Sequence, residues 1–408
     1  MMLATADERA ARSLLKDRGR AAALLTLFLI PVVLWRRSLA MPVDLGVYRA
    51  GGSAILHGSA LYGAAFRAHT HTLPLPFTYP PFSAIAFVVL AVMPWALAAI
   101  LWFLVSVGSL VSIVRESFAP FLRRFDRRRS LLALALIAGL LAWTVPVRDT
   151  FWYGQINLIL VAMVLADCLR AQKSRGVLVG LATALKLTPG LFIAYFIVTR
   201  QKAAAVRSLV TVAVCWGGAA LLLPGASKQY WLHDAFNIQR PGSPANFRNQ
   251  TLDGLIYREH WPHWLWIPLV VLVAVFGLWR ARDAHRRGKE LAAIVLVGLT
   301  TLLVAPISWL HTEVWFVAAI GVIWGDGNHH RRVVGARAVF VSLLVRLPML
   351  GDKLERHFPI PLLGGLLDNA YVYLLLVLLV LLPARDPARD PAETPYSPSS
   401  ADLVGASP

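Results

Sequence analysis

Apolar runs close to the length of a membrane-crossing helix recur along this 408-residue chain, and short basic segments separate many of them. About 20 consecutive apolar residues cross the hydrocarbon core as a helix. Within that core each backbone N–H and C=O must be satisfied inside the protein. Such runs lie near 20–38, 80–93, 95–114, 130–146, 153–169, 177–199, 205–223, 263–280, 290–306, 309–325, 333–350 and 367–383. Only 15% of the residues are charged and 57% are hydrophobic, whereas a soluble domain carries about 25% charged residues. The pattern predicts an all-α polytopic membrane protein of about 11–13 transmembrane helices, by the span lengths of.

The formal net charge of +18 would point to nucleic acid in a soluble protein. Here the positive charge collects in short loops: RRFDRRR (123–129), RAQKSR (170–175), RQKAAAVR (200–207), RARDAHRRGK (280–289) and HHRRVVGAR (329–337). That is the positive-inside signature, so these loops are expected in the cytoplasm and no nucleic-acid partner is expected. Cys168 and Cys215 lie in apolar surroundings and make no disulfide framework or zinc spacing. The basic residues ahead of 21–35, with Arg36 and Arg37 after it, read as an uncleaved first span. Residues 1–383 are expected to form one transmembrane domain, followed by a Pro/Ser/Ala-rich, disordered cytoplasmic tail at 384–408.

With the N-terminus inside, 40–79 and 224–262 become the two large external loops, and PISWLH (306–311) shares their face. GDKLERHF (351–358) is expected to join them. Two regions resist this scheme. The stretch 80–114 reads as two spans broken at Pro94, yet the basic 115–129 requires a single crossing. KLTP (186–189) interrupts 177–199 and marks either one broken helix or a re-entrant hairpin.

Several polar residues in these passages have chemistry to offer, each beside a plainer reading. Asp44 opens DLGVYRAGG, where it either N-caps an interfacial helix or presents a carboxylate over a cavity between spans, since ionisable groups at membrane depth are usually paired or functional. Arg49 would pair with it or bind an anion. In LPLPFTYPPF the prolines stiffen the approach to the membrane, and Tyr79, like Tyr48 and Tyr62 upstream, is an interfacial anchor or part of a substrate site. His69 and His71 lack a third ligand, so no metal is expected. Gln155 and Asn157 in WYGQINLIL tie helices together or meet sugar hydroxyls or a phosphate. Lys186 either snorkels to the interface or forms an anion pocket where the Thr-Pro step breaks the helix. Asn249 and Gln250 in ANFRNQTLDGL are candidate sugar binders. His311 and Glu313 stand at the end of a span.

Taken in order, DLGVYRAGG, LPFTYPPF, GQINLIL, ALKLTPG, NQTLDGL and PISWLH resemble the bacterial polyprenol-phosphate-mannose-dependent α-1,2-mannosyltransferases, integral-membrane enzymes of the GT-C type that include those elongating phosphatidylinositol mannosides. The resemblance covers roughly 40–315. It implies a GT-C bundle with interfacial helices in the first external loop. It implies a plasma-membrane enzyme with its active site on the extracytoplasmic face, polyprenol-phosphate-mannose as donor and a mannosylated glycolipid as acceptor. It also implies Asp44 as catalytic base and His311 as an active-site histidine. Family members often carry a polar residue before that histidine and a second histidine after it; here these are Leu310 and Thr312. One carboxylate suffices for an inverting transfer, because it takes the proton of the attacking hydroxyl. The phosphate leaving group needs charge stabilisation, for which Lys186 and Arg49 are the candidates. No nucleotide loop, metal or other cofactor is expected. The competing readings are a GT-C enzyme using another polyprenol-phosphate sugar and a lipid-linked-sugar transporter or flippase, which would show inverted repeats.

Overall fold

The computed structural model describes residues 42–382 apart from 64–65, 67–74, 238–239, 241 and 359. The first apolar run, the His69/His71 pair and the tail fall outside the described residues. Among those described the chain is helical, with a lone antiparallel bridge between Asn249 and Trp309. The elements are α1 (Val43–Leu56), α2 (Pro81–Val92), α3 (Trp95–Ser117), α4 (Arg127–Ala142), α5 (Val145–Tyr153), α6 (Asn157–Leu169), α7 (Val177–Leu185), α8 (Leu191–Val198) and α9 (Lys202–Leu222). The second half holds α10 (Leu252–Arg258), α11 (Trp266–Arg286), α12 (Glu290–Val304), α13 (Trp315–Trp324), α14 (His330–Val345), α15 (Leu347–His357), α16 (Pro361–Asp368) and α17 (Ala370–Leu381).

Burial sorts these helices into a centre and a rim. From Ala292 to Leu303 every residue of α12 is buried, and α13 is buried from Trp315 to Ile323. A helix apolar all round belongs inside a bundle. The spanning helices α3, α9 and α11 instead leave apolar stripes outside: Leu97, Ile100, Leu101, Leu104 and Val105 on α3, and Val206, Leu209, Val210 and Val214 on α9. Spaced at i, i+3 and i+4, such a stripe faces lipid when no protein covers it.

The run 80–114 contains one long span. α2 is 12 residues and rises about 18 Å, well short of the ~30 Å core. Only α3 is long and apolar enough to cross. The break is held by α1: Arg49 donates to the carbonyls of Leu90 (2.8 Å) and Met93 (2.6 Å) and lies 5.5 Å over the Trp95 ring. These carbonyls are freed where Pro94 interrupts the helix. The expectation of two spans here is therefore corrected to a short helix plus one crossing, which is what the basic 115–129 requires.

Of the two readings of 177–199, one broken helix or a re-entrant hairpin, the structure has a helical hairpin. α7 runs parallel to α9, since Gly176 and Gly180 pack on Ala204 and Ser208 while Trp216 of α9 donates to the Ala184 carbonyl at 3.3 Å. α8 joins α9 through the short turn 199–201, so it must run the other way. The two ends of the hairpin meet, with Arg175 Nη1 donating to Gln201 Oε1 at 3.0 Å. Both ends lie among the basic residues Arg170, Lys173, Arg200, Lys202 and Arg207, and Lys186 sits at the tip. Gly176 is required at the base: its φ is +104° and a Cβ there would lie 2.1 Å from the Ala204 carbonyl oxygen. At the tip the carbonyls that α7 leaves unpaired are taken up by neighbours, Ser83 Oγ donating to Leu185 O at 2.6 Å and Trp216 to Ala184. That is how a broken helix is satisfied at membrane depth.

Three further expected runs are bent. The α4/α5, α14/α15 and α16/α17 pairs turn by 78°, 47° and 61°. The first matters most, because it lays α5 across the end of the bundle opposite the basic loops. Asp126 N-caps α4, accepting from Arg128 N and Arg129 N at 3.1 Å. GDKLERHF falls in α15, packed on α16 close to Glu259 and thus on the face of the 224–262 passage.

Candidate active site

Asp44 reaches the site because of a glycine. α5 ends at Gly154 in the left-handed conformation (φ +69°), and Leu45 and Pro42 pack onto the missing side chain: a Cβ there would lie 2.9 Å and 3.0 Å from their Cβ atoms. The first turn of α1 is thereby set against the residue that follows, Gln155. Pro42, not Asp44, is the N-cap residue of α1, and no side chain caps the helix. Of the two readings of Asp44, the capping one does not hold; the carboxylate lies beside the Gln155 side chain.

The orientation of Gln155 is dictated by two tyrosines. Tyr48 and Tyr79 donate to Gln155 Oε1 at 3.0 and 3.1 Å, and their own oxygens lie 2.8 Å apart. With the amide oxygen occupied twice, the amide nitrogen is the group Gln155 has left to offer Asp44. Tyr48 is held by stacking on Phe87 (4.5 Å, 21°) and edge-on packing against Tyr79 (5.2 Å, 86°). Tyr62 stands one step further back, donating to the Tyr79 carbonyl at 2.8 Å beneath the Arg240 guanidinium. It braces Tyr79 and does not reach Asp44 itself. Asp44 keeps part of its surface open while lying deep in the recess. Burial pushes its pKa up to about 6, against the opposing pull of the Gln155 hydrogen bond and the Lys186 charge.

On the other side stands the hairpin tip. Lys186 Nζ donates to Asn157 Oδ1 at 2.8 Å and lies 5.7 Å from the Tyr79 ring centre, within the field of Asp44. Asn157 then donates to the His311 carbonyl at 2.9 Å, and Thr150 Oγ1 donates to the same oxygen at 2.8 Å. α5, α6, the hairpin tip and the Leu310–Thr312 turn are tied together in this way. The His311 ring meets Tyr153 edge-on at 5.5 Å.

The structure thus brings Asp44, Tyr48, Tyr79, Gln155, Asn157, Lys186 and His311 together, and sets Tyr62, Arg49, Asn249, Gln250 and Glu313, also singled out by sequence, apart from them. Arg49, expected at a phosphate, has its Nη1 engaged by the carbonyls of Leu90 and Met93 at the Pro94 break. Asn249 and Gln250 are fully buried. Asn249 donates to Pro244 O and Pro306 O and accepts from Ser308 N and Thr251. Gln250 donates to Phe247 O and Asp368 O and accepts from Tyr371 N and Val372 N. Their side-chain hydrogen bonds are made within the protein, so that these two residues, expected at a sugar, form a lock: Asn249 fastens 246–251 onto 306–308 and Gln250 fastens it onto 368–372. Glu313, also fully buried, accepts from Ser308 Oγ at 3.1 Å. Sequence reasoning passed over Tyr153 and Arg248, which the lock and the α4/α5 bend deliver to His311. Both lay inside the quoted motifs, but nothing in their spacing marks them.

An acid and a cation facing one another in a half-buried recess between helices, at the end of the bundle away from the basic loops, describe a membrane-embedded transferase site. The chain belongs to glycosyltransferase family 87, whose family model matches residues 77–306. It is 33% identical to a Mycobacterium tuberculosis protein named polyprenol-phosphate-mannose-dependent alpha-(1-2)-phosphatidylinositol mannoside mannosyltransferase, over 81% of this chain and 80% of that one. A Mycolicibacterium smegmatis protein of the same name is 33% identical over 87% of both chains. A second M. tuberculosis relative, named as the phosphatidylinositol pentamannoside mannosyltransferase, is 35% identical over 76% of this chain and 72% of its own. No solved structure matches the chain.

Proposed function

We propose that this protein transfers mannose from polyprenol-phosphate-mannose to a mannosylated phosphatidylinositol-type glycolipid, with inversion at the anomeric carbon, at the outer face of the plasma membrane. The observation that carries the reading is the opposition of Asp44, aimed by Gln155, to Lys186, anchored on Asn157. In the reaction the acceptor hydroxyl oxygen attacks the anomeric carbon as its proton passes to Asp44. The bond from that carbon to the phosphate oxygen breaks, and the polyprenyl phosphate leaves with the electron pair. Lys186 neutralises the charge that gathers on the leaving phosphate. The Asp44 pKa of about 6 suits a base working near neutral pH, ionised before reaction yet basic enough to take the proton. The names of the 33–35% identical relatives support the donor and the acceptor class.

The test is Asp44→Asn in the purified full-length protein in nanodiscs, supplied with radiolabelled polyprenyl-phosphate-mannose and phosphatidylinositol mannosides. Transfer is expected to fall by about 10²–10⁴-fold with the thermal midpoint unchanged. Near-normal turnover of the variant would remove Asp44 as the base.

A further inference from the structure

We propose that Arg248, bonded to the Tyr153 hydroxyl beside the His311 ring, forms a second anion-binding position of the site and holds a lipid phosphodiester there. The inference rests on the transferase reading above. Arg248 is carried on the 246–251 passage, which Asn249 fastens to Ser308, three residues before His311, and Gln250 fastens to Tyr371, through fully buried hydrogen bonds. Its guanidinium has a fixed base. Nη1 donates to the Tyr153 hydroxyl at 2.8 Å, and the group lies 5.5 Å from the Phe247 ring centre. Among the described residues its side chain forms no ion pair, and Nε and Nη2 have no hydrogen-bond partner. The half-buried guanidinium thus keeps N–H donors pointing out of a rigid frame.

Charge balance says what those donors meet. Arg248 bonds Tyr153, whose ring packs edge-on against His311, and Lys186 bonds Asn157, which donates to the His311 carbonyl, so both cations flank the His311 turn near Asp44. The nearby Asp149 is already paired with Arg148 at 2.7 Å. With Asp44 ionised, the three charges sum to one net positive charge. A half-buried cation without a counter-charge is costly, and a single phosphodiester, at one negative charge, cancels it. Arginine suits the task because its planar fork matches two phosphate oxygens at once. Both proposed lipids carry such a group: the donor in its mannosyl phosphate, the acceptor in its phosphatidylinositol. The shared chemistry is the phosphodiester, and experiment separates the two sources.

Binding is measured on the full-length protein in nanodiscs by microscale thermophoresis. The probes are mannosyl polyprenyl phosphate without acceptor and phosphatidylinositol mannoside without donor. The proteins are wild type, Arg248→Gln, Arg248→Lys and Tyr153→Phe. Loss of a charge-assisted hydrogen bond predicts a Kd for one of the two lipids raised about 10- to 100-fold in Arg248→Gln. Arg248→Lys should recover part of it, and Tyr153→Phe should stay within about twofold because the guanidinium remains. A shift for the mannosyl phosphate assigns the anion to the donor, and a shift for phosphatidylinositol mannoside assigns it to the acceptor. Unchanged affinity for both lipids in Arg248→Gln, or equal loss in Tyr153→Phe, overturns the proposal; so does wild-type protein that binds neither. Neither readout needs turnover, so a failed transfer reaction and a failed anion site are distinguishable.

Discussion

Replacing Gln155 by leucine tests the electrostatics of the recess most directly. The substitution keeps roughly the side-chain volume and deletes the amide that donates to the Asp44 carboxylate. A hydrogen bond to the ionised form holds a carboxyl pKa down, so its loss must raise the pKa of Asp44 above its present value of about 6. A hydrogen bond to a charged group contributes about 1.5–3 kcal/mol, and one pKa unit corresponds to about 1.4 kcal/mol. The full range is thus about one to two units. Asp44 is partly open to solvent, which screens the interaction and favours the lower end, about one unit. The sign follows from the role of a base, which works only when deprotonated. In wild type kcat/KM should rise with pH through about 6 and flatten above it. In Gln155→Leu the same limb should sit near pH 7, so the defect is about tenfold at pH 5, about fivefold at pH 6 and nearly absent at pH 8. The assay is the initial rate of mannose transfer from pH 5 to 9 at subsaturating donor, where kcat/KM reports the free enzyme. An acid limb that stays in place, or moves to lower pH, would refute the assignment of that limb to Asp44 and the orientation of Gln155 argued here.

Lys186→Met should raise the KM for polyprenyl-phosphate-mannose and leave that for the acceptor nearly unchanged, while Lys186→Arg restores part of the loss because the charge is kept and the shape is not; equal donor kinetics in Met and wild type would end the phosphate role. Gly154→Ala places a Cβ 2.9 Å from that of Leu45 at a φ of +69° and should cost about 1–2 kcal/mol from backbone handedness alone. Its thermal midpoint and its kcat should fall together as α1 is pushed from Gln155; an unchanged kcat would show that the packing does not position Asp44. Asn249→Ala leaves the buried Ser308 N–H without its partner, at about 1–3 kcal/mol, and should lower the melting point measured by size-exclusion detection. A raised acceptor KM with unchanged melting would instead return Asn249 to the sugar site.

The membrane class, the basic and the site-bearing ends of the bundle, and the motifs that meet at the site were legible in the sequence. Each depends on a property summed over a short window: apolar length for a span, lysine and arginine density for a loop, a Thr-Pro step for a helix break. Asp44, Gln155, Lys186 and His311 stood out because polar groups beside apolar runs are costly wherever the chain goes. What the windows could not hold was direction. KLTP reads alike as a broken helix or a hairpin tip, and only the meeting of Arg175 with Gln201 decided for the hairpin. Partnership was equally hidden. Arg49, Asn249 and Gln250 have the right chemistry for phosphate or sugar, yet tertiary packing brings freed carbonyls and amides within reach of them first. Tyr153 and Arg248 carried no local mark and owe their place to a 78° bend and to a lock formed between segments more than fifty residues apart. Spans and charges are properties of the chain taken locally, whereas the partner a polar group finds is settled only when distant segments pack.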